Sequence, residues 1–235
     1  MRYIGIHLLL TICTYATVSA QEIGVSIGYG AYKMDELKMV NEESLTGDPV
    51  ALKSTADFPG YLTFGLNTSF QLTRSFILGG EISLASTGSR HTYSDYSGGI
   101  NFDQEVHSIS ASAVPATILF QDDNNLLTLD AKLGASFTSL SLKNLFRIGD
   151  QSENATFKFT SLNFFGEPGL RYGRVVGSLP LKVSVRVGYN LQAIKGKLYF
   201  KDEDNTYLTA KGDPATADWS GFRGELAVSY LFKTR

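Results

Sequence analysis

The amino-acid sequence predicts an all-β fold, an eight-stranded antiparallel up-and-down transmembrane β-barrel, on three observations. Apolar and polar residues alternate in eight segments of the chain. The connections between these segments are long and short in turn. Aromatic residues gather near both ends of the apolar faces. Together these features are typical of a barrel whose alternate side chains face lipid and a polar interior.

The first twenty residues of this 235-residue chain differ from the rest. They begin with the basic Arg2, continue with a largely apolar run over 4–17 and end with small residues at 18–20. This order predicts a cleaved secretory signal peptide over 1–20, which leaves 21–235 as the outer-membrane β-barrel domain. The only cysteine lies within the signal peptide, so the mature chain would use no disulfide bonds.

The composition argues against several classes of protein. The net charge is −2, hydrophobic residues make up 43% of the chain and charged residues 19%. Neither a nucleic-acid partner nor a disordered chain is indicated by these values. After the predicted signal peptide the only histidines are His91 and His107, which are too few for a histidine metal site. We therefore predict no metal, no cofactor and no catalytic residues.

The alternation is clearest in the segment LKVSVRVGYNLQ, Leu181–Gln192. Its odd-numbered residues are apolar, and its even-numbered residues are Lys182, Ser184, Arg186, Gly188, Asn190 and Gln192. Successive side chains of a strand point to opposite faces, so one face of this strand is apolar and the other polar. The same pattern predicts eight strands in all: Glu22–Tyr32, Leu62–Leu72, Phe76–Ser86, Asp103–Phe120, Leu127–Phe137, Leu162–Tyr172, Leu181–Gln192 and Phe222–Phe232.

The fourth of these strands, Asp103–Phe120, is irregular. Ile109 is apolar in one phase of the alternation, whereas Ile118 is apolar in the other. The change of phase lies next to Pro115, which cannot donate a backbone hydrogen bond. We predict a β-bulge at Val114–Pro115, because one extra residue there would restore the pattern. Which face of this strand is buried stays open.

The connections between the strands alternate in length, at residues 33–60, 73–75, 88–102, 121–125, 141–161, 174–180 and 196–220. In bacterial outer-membrane barrels the short turns face the periplasm and the longer loops face outward. We therefore predict that both termini are periplasmic. Because binding residues concentrate in loops, an extracellular ligand or protein partner is expected at the four long connections, Lys33–Phe58, Gly88–Phe102, Ser141–Thr160 and Gly196–Ser220.

The polar faces of the strands are predicted to point into the barrel. They are rich in glycine and other small residues and carry charges of both signs, which suits a crowded interior. Because an unpaired buried charge is costly, a near-balance of the two signs indicates pairing. The predicted lumen charge network consists of Glu81, Asp130, Lys132, Glu167, Arg171, Lys182, Arg186, Arg223 and Glu225. Eight strands leave an interior that side chains can fill, so free diffusion of solutes is not expected.

The apolar faces are predicted to contact lipid, and their aromatic residues form two bands. Such bands resemble the interfacial girdles of membrane barrels. The band at the short-turn end consists of Phe70, Phe76, Phe120, Tyr172, Tyr230 and Phe232. The band toward the long connections consists of Tyr29, Phe64, Phe137, Phe164, Tyr189 and Phe222.

Three segments carry a resemblance to a known family. They are FGEPGLRYG at Phe165–Gly173, LKVSVRVGYNLQ at Leu181–Gln192 and the closing Tyr230–Phe232. With the signal peptide and eight strands, the chain resembles the outer-membrane β-barrel family common in Bacteroidota, which includes PorT-like and OmpA-barrel-like porin-family proteins. The likeness covers essentially the whole mature chain. It implies a place in the bacterial outer membrane, contact with outer-membrane lipid and recognition of the C-terminal strand by the barrel-assembly machinery.

Three functions are compatible with these expectations. The preferred one is a non-enzymatic outer-membrane barrel with a side-chain-filled lumen and a structural, adhesive or envelope-assembly role. The second is a lipid-modifying barrel enzyme, whose only candidate residues are His107 with Ser108 or Ser110, and Glu105 nearby. The third is a secreted soluble β-barrel that binds a hydrophobic ligand in its interior.

Overall fold

The computed structural model describes residues 22–46, 53–96, 98–148, 151–177, 179–201, 203 and 205–232. The predicted signal peptide lies outside the described residues. In chain order the elements are β1 Glu22–Gly30, α1 Asp35–Thr46, β2 Lys53–Asp57, β3 Tyr61–Gln71, β4 Phe76–Ser94, β5 Gly98–Gln121, β6 Asn125–Ile148, β7 Gln151–Val175, β8 Leu181–Ile194, β9 Tyr199–Phe200, β10 Thr209–Ala210, β11 Asp213–Pro214 and β12 Gly221–Leu231.

Eight of these strands close into a barrel. Each of β1, β3, β4, β5, β6, β7, β8 and β12 pairs antiparallel with its neighbours, and β1 closes the ring by pairing with both β3 and β12. The register is continuous along β1, from Glu22 opposite Leu231 to Gly30 opposite Arg223. Every strand therefore has two hydrogen-bonded neighbours in the ring, and the predicted eight-stranded antiparallel up-and-down barrel is confirmed.

The barrel wall is apolar outside and polar inside. On β8, Val185 is 52% exposed on the outer surface, whereas its neighbour Arg186 is 2% exposed in the interior. The same alternation recurs on β1 and β3, where Val25 and Leu66 are exposed and Asn67 is buried. A soluble barrel with an apolar interior would show the opposite facing, so the structure does not favour that alternative. An exterior of this kind is stable in contact with lipid.

Strand β5 corrects the predicted bulge at Val114–Pro115. The register between β4 and β5 runs unbroken through Leu78 opposite Pro115, and the only shift against β6 lies between Ile118 and Phe120. Val114 is buried in the interior. The bulge was predicted on the assumption that every apolar residue of the wall faces lipid. Some apolar residues face the interior instead, where they line a small cavity at the short-turn end: Val114, Ala116, Ile77 and Leu126.

Two of the predicted long loops are strands instead. β4 and β5 continue as a hairpin up to Ser94 and Gly98, across the predicted loop Gly88–Phe102. β6 and β7 continue to Ile148 and Gln151, across the predicted loop Ser141–Thr160. Their outer faces carry polar residues because they meet water, so the apolar stripe that identifies a lipid-facing strand is missing there. We call these extensions the projecting sheet; β2 pairs with its β4 edge and β9 with its β7 edge.

The other two long connections fold over the mouth of the barrel. Lys33–Phe58 contains α1, which begins with the acidic Asp35 and Glu36, a charge sign that favours a helix N-terminus. Leu37 and Val40 on one side of α1 are buried. None of the helical residues that the structure describes forms a segment long and apolar enough to cross a membrane. The connection Gly196–Ser220 contains β9 and the small hairpin of β10 and β11.

Candidate functional site

The middle of the lumen is crossed by a cluster of three charged side chains. Lys132 on β6 donates hydrogen bonds from Nζ to Glu81 Oε1 on β4 and to Glu225 Oε2 on β12, both at 2.6 Å. All three side chains are nearly buried. Because β4, β6 and β12 lie on different sides of the barrel, this cluster ties the walls together across the interior.

A second cluster lies around Arg186 on β8. Its Nε donates to Asp130 Oδ1 at 2.8 Å, its Nη1 pairs with the Glu167 carboxylate, and its Nη2 donates to the Glu167 carbonyl oxygen at 2.9 Å. Arg171 Nε also donates to Asp130, at 3.3 Å. Gly169 makes room for the guanidinium, since a Cβ there would lie 2.5 Å from Arg186 Nη2. The planar guanidinium can thus satisfy two carboxylates at once.

The third ion pair lies closest to the short turns. Lys182 on β8 pairs with Glu22 on β1, and Ser69 donates to the same Glu22 carboxylate at 3.2 Å. Glu22 is not among the predicted members of the lumen network, although it has the same phase as the polar residues of its strand. The structure also places one predicted member elsewhere: Arg223 stacks over the Tyr32 ring, 4.6 Å from its centroid, and donates to the Trp219 carbonyl oxygen at 2.9 Å.

Eight of the nine charged residues predicted for the lumen therefore meet in ion pairs inside the barrel. These residues are Glu81, Asp130, Lys132, Glu167, Arg171, Lys182, Arg186 and Glu225. Burying charges is expensive unless each finds a partner. The pairing allows these charges to be buried in the interior of the barrel.

A polar cavity of about 60 Å³ separates the Lys132 cluster from Trp219. Hydroxyl groups of several serines line it, with Ser83 and Ser110 2.7 Å apart. Ser136 Oγ, Asn190 Oδ1 and Gln192 Oε1 face it with no hydrogen-bond partner among the described residues. A cavity of this size accommodates water-sized molecules only.

The mouth of the barrel on the side of the projecting sheet is covered by an apolar cap. Its core joins the two folded connections to the inner face of the projecting sheet and contains Tyr32, Met34, Leu37, Val40, Phe58, Val106, Leu140, Leu142, Phe159, Leu198, Ala210, Ala215, Ala217 and Trp219. Trp219 is its centre: the Nε1 proton is donated to Thr138 Oγ1 at 2.9 Å, and the indole meets the Tyr32 ring edge-on at 4.8 Å.

Polar contacts fasten the cap to the barrel. Lys195 pairs with Asp218 at 2.6 Å. Burial would raise the pKa of Asp218, but hydrogen bonds from Lys195 and Ser220 hold it below its ordinary value. Asn41 on α1 donates to Ser89 Oγ at 2.7 Å. The first contact joins the last long connection to the residue that follows β8, and the second joins α1 to the projecting part of β4.

The outer face of the projecting sheet is polar and ion-paired. Arg90 and Asp103 form a two-pronged pair, with distances of 2.7 and 3.1 Å. Lys143 Nζ donates to Glu105 Oε2 at 2.8 Å. Toward its tip the inner face emerges from the cap, and Phe157 is 42% exposed beside Phe200. The projecting sheet therefore has a polar outer face and an exposed aromatic patch near its tip.

The residues proposed for a lipid-modifying enzyme are not assembled. His107 faces outward, whereas Ser108 is buried on the inner side of β5. Glu105 is engaged by Lys143. Because neighbouring residues of a strand point to opposite faces, the His107–Ser108 pair cannot act as base and nucleophile. Within the described residues no group of three or more His, Cys, Asp or Glu is arranged to hold a metal ion.

The aromatic residues of the two predicted bands lie on the outer surface of the wall. The most exposed are Phe222 at 73%, Tyr29 at 56%, Phe64 and Phe120. Two pairs pack edge-on within a band: Tyr189 with Phe222 at 4.9 Å, and Tyr230 with Phe232 at 5.1 Å. These rings extend the apolar exterior toward both ends of the barrel.

Comparison with solved structures finds similar folds among bacterial outer-membrane proteins. Ail, the attachment invasion locus protein of Yersinia pestis, is 15% identical, with 91% of this chain and 99% of that chain covered and a TM-score of 0.41. OprG of Pseudomonas aeruginosa is 11% identical, with 92% and 98% covered and a TM-score of 0.47. The outer-membrane protease OmpT of Escherichia coli is 14% identical, with 91% and 95% covered and a TM-score of 0.39. At these identities the similarity concerns the fold alone.

Two sequence-based predictions are affected by these comparisons. No protein-family model matches the chain, and a search of curated proteins returned no match, so membership of the Bacteroidota family stays a prediction. The prediction that the protein is not an enzyme, made because the sequence shows no catalytic signature, is wrong: the similar structures include an outer-membrane protease, OmpT.

Proposed function

We propose that this protein is an integral barrel of a bacterial outer membrane that binds a partner at the cell surface through its cap and projecting sheet. The observation that carries the proposal is the excess length of four strands. β1 has 9 residues and β12 has 11, which is about the length that a tilted strand needs to cross a membrane. β7 has 25 residues, so more than half of it lies beyond the wall.

The excess strand length is used to build a second packed structure. β4, β5, β6 and β7 all extend at the same end, and α1 and the last long connection pack on their inner face. A barrel that served only as a membrane anchor would need no such structure. We infer that this end faces the outside of the cell and that both termini lie on the periplasmic side, since the other end has only short turns.

The lumen supports a binding role better than a transport role. Two layers obstruct it: the ion pairs around Lys132 and Arg186, and the cap around Trp219. The further partners that we propose are outer-membrane lipid along the apolar wall and the barrel-assembly machinery at β12, which ends beside the aromatic pair Tyr230 and Phe232.

Trimming the projecting hairpin tests this function. Replacing residues 143–156 by Asn-Gly would join Leu142 to Phe157, which face each other in the ladder, through a turn that favours hairpins. This variant keeps the cap residues Leu140 and Phe159. Bacteria that produce it should lose binding to an array of purified extracellular-matrix proteins and glycans that the full-length protein confers.

The controls separate binding from folding and from transport. Heat-modifiable migration on a gel should show that the trimmed variant still forms a barrel. Replacing the exposed Arg74 by Gln, in a short turn at the opposite end, should leave binding unchanged. Equal binding by trimmed and full-length protein, or a conductance of porin size in planar bilayers, contradicts the proposal.

A further inference from the structure

The lipid-facing wall carries one conspicuous charge. Among the outward-facing residues that the structure describes between the two aromatic bands and at their edges, Arg174 is the only one with an ionic side chain. It lies one residue before the end of β7, at the short-turn end of the barrel. A cation on the lipid face is unfavourable at mid-depth and is tolerated near the interface.

Arg174 borders an apolar groove on the outer surface of the barrel wall. The groove has a volume of about 540 Å³ and is lined by Tyr172, Val175, Val176, Val183 and Val185, with Asn124 and Gly177 at its edge. Val183 is the ladder partner of Arg174, and Val185 is that of Tyr172. The groove exists because short valine side chains on β8 lie beside larger residues on β7.

The guanidinium of Arg174 is not in contact with an acid among the described residues. No ion pair or side-chain hydrogen bond of Arg174 is present among the described residues. Arg174 acts electrostatically on Asp122 in the adjoining turn. The pKa of Asp122 is lowered first by hydrogen bonds from the Asn125 side chain and from the backbone N–H groups of Asn124 and Asn125, and then by the charge of Arg174, so its carboxylate is already hydrogen-bonded within the turn. Tyr172, beside the groove, donates its hydroxyl proton to Asn125 Oδ1 at 2.7 Å.

We propose that this groove is a specific site for an anionic phospholipid, with the phosphate on Arg174 and an acyl chain along the valines. A guanidinium pairs with phosphate through two parallel hydrogen bonds, and an acyl chain fits an apolar groove that opens to the bilayer. The site needs only that the barrel is in a membrane. Its assignment to the periplasmic leaflet rests on the orientation given under the proposed function.

Native mass spectrometry of the full-length mature protein in detergent tests the site directly. The probes are phosphatidylglycerol, which is anionic, and phosphatidylcholine, which has no net charge. A basic residue near an anionic surface should favour the anionic lipid by roughly fivefold. We expect this preference in the wild type, its loss in Arg174→Gln and its partial retention in Arg174→Lys.

Two further variants distinguish lipid binding in the groove from a general electrostatic attraction of the anionic lipid to the protein. Arg74→Gln removes an exposed arginine from a turn at the same end of the barrel and should keep the full preference. Val183→Phe fills the groove while leaving Arg174 in place, and it should weaken the binding of both lipids. Heat-modifiable migration verifies that each variant is folded.

Specific outcomes overturn the proposal. Equal binding of the two lipids by the wild type would do so, as would a preference that survives Arg174→Gln. Displacement of phosphatidylglycerol by millimolar inorganic phosphate would show a phosphate site that does not use the groove, and this too would overturn it. These measurements use no extracellular partner, so they can fail while the proposed surface function holds, and the reverse is equally true.

Discussion

Arg186 on β8 donates a hydrogen bond to Asp130 on β6 at 2.8 Å, and each side chain is 1% exposed. The two strands are not neighbours, because β7 lies between them in the ring. The bond therefore spans β7 through the interior, where the small Gly169 leaves space for the guanidinium. The pairs Arg186–Asp130, Lys132–Glu81 and Lys182–Glu22 act as internal crosslinks between strands that share no backbone hydrogen bonds.

Removal of Asp130 should destabilise the barrel strongly. Asp130→Ala leaves Arg186 with the Glu167 carboxylate alone and deprives Arg171 of its closest acid. Breaking a buried pair on one side typically costs about 3–5 kcal/mol. Urea unfolding of the protein in lipid vesicles measures this change in free energy. Asp103→Ala, which breaks a pair with the exposed Arg90, should cost less than about 1 kcal/mol; a similar loss for both variants would contradict the crosslinking role.

Neighbouring residues of β8 should respond very differently to substitution. Val185 is exposed on the lipid side and Ser184 is buried in the lumen. Val185→Arg should impair membrane assembly by about 2–4 kcal/mol at mid-depth, whereas Ser184→Ala should be nearly silent. Folding into vesicles of defined composition measures both. A barrel that tolerates Val185→Arg as easily as Ser184→Ala would show that this face does not contact lipid.

The facing of the wall could be predicted from the sequence, but the cap could not. Val185 and Arg186 alternate with a period of two, and lipid on one side makes that alternation sharp. In the projecting sheet the outer face meets water and carries polar residues such as Lys143 and Glu105. These segments therefore lack the alternation of apolar and polar residues, and the sequence predicted loops there. The helix left a weak signal in the spacing of Met34, Leu37 and Val40, since residues three apart share one side of a helix.

For the lumen, the sequence predicted which charged residues lie inside but not which of them pair. A count of charges on the polar faces was enough to find most of the residues that pair. It could not say that Lys132 joins Glu81 to Glu225, because such contacts depend on the stagger of strands around the ring. Arg223 illustrates the limit: it has the same phase as the paired residues, yet its position near the cap places it over the Tyr32 ring instead of beside an acid.

The indole of Trp219 should contribute to the cap through a hydrogen bond as well as through packing. Trp219→Phe leaves the Thr138 hydroxyl without this donor, although Asn163 still donates to it at 3.1 Å. We expect a loss of about 1–2 kcal/mol in the free energy of unfolding. A double-mutant cycle with Thr138→Val isolates the interaction. If the two losses simply add, the hydrogen bond contributes nothing and the effect is one of packing.

The contacts under α1 should make the stability of the cap depend on pH. Ser89 Oγ lies 3.1 Å from His91 Nε2 and accepts a hydrogen bond from Asn41. Burial lowers the pKa of His91, and the nearby Asp57 only partly opposes this. An unfolded histidine titrates near pH 6.5. As pH falls below about 6.5 the unfolded chain binds the proton first, so stability should decrease toward the lower pKa of the folded state.

This decrease can be followed through the single tryptophan of the chain, Trp219, whose fluorescence reports the cap. Urea midpoints measured between pH 8 and pH 5 should fall for the wild type and change much less for His91→Gln, which can still contact Ser89. His107→Gln is the matched control, because His107 is exposed on the outer side of β5, and it should behave as the wild type. If His91→Gln keeps the full pH dependence, the titrating group lies elsewhere and the buried histidine does not govern the cap.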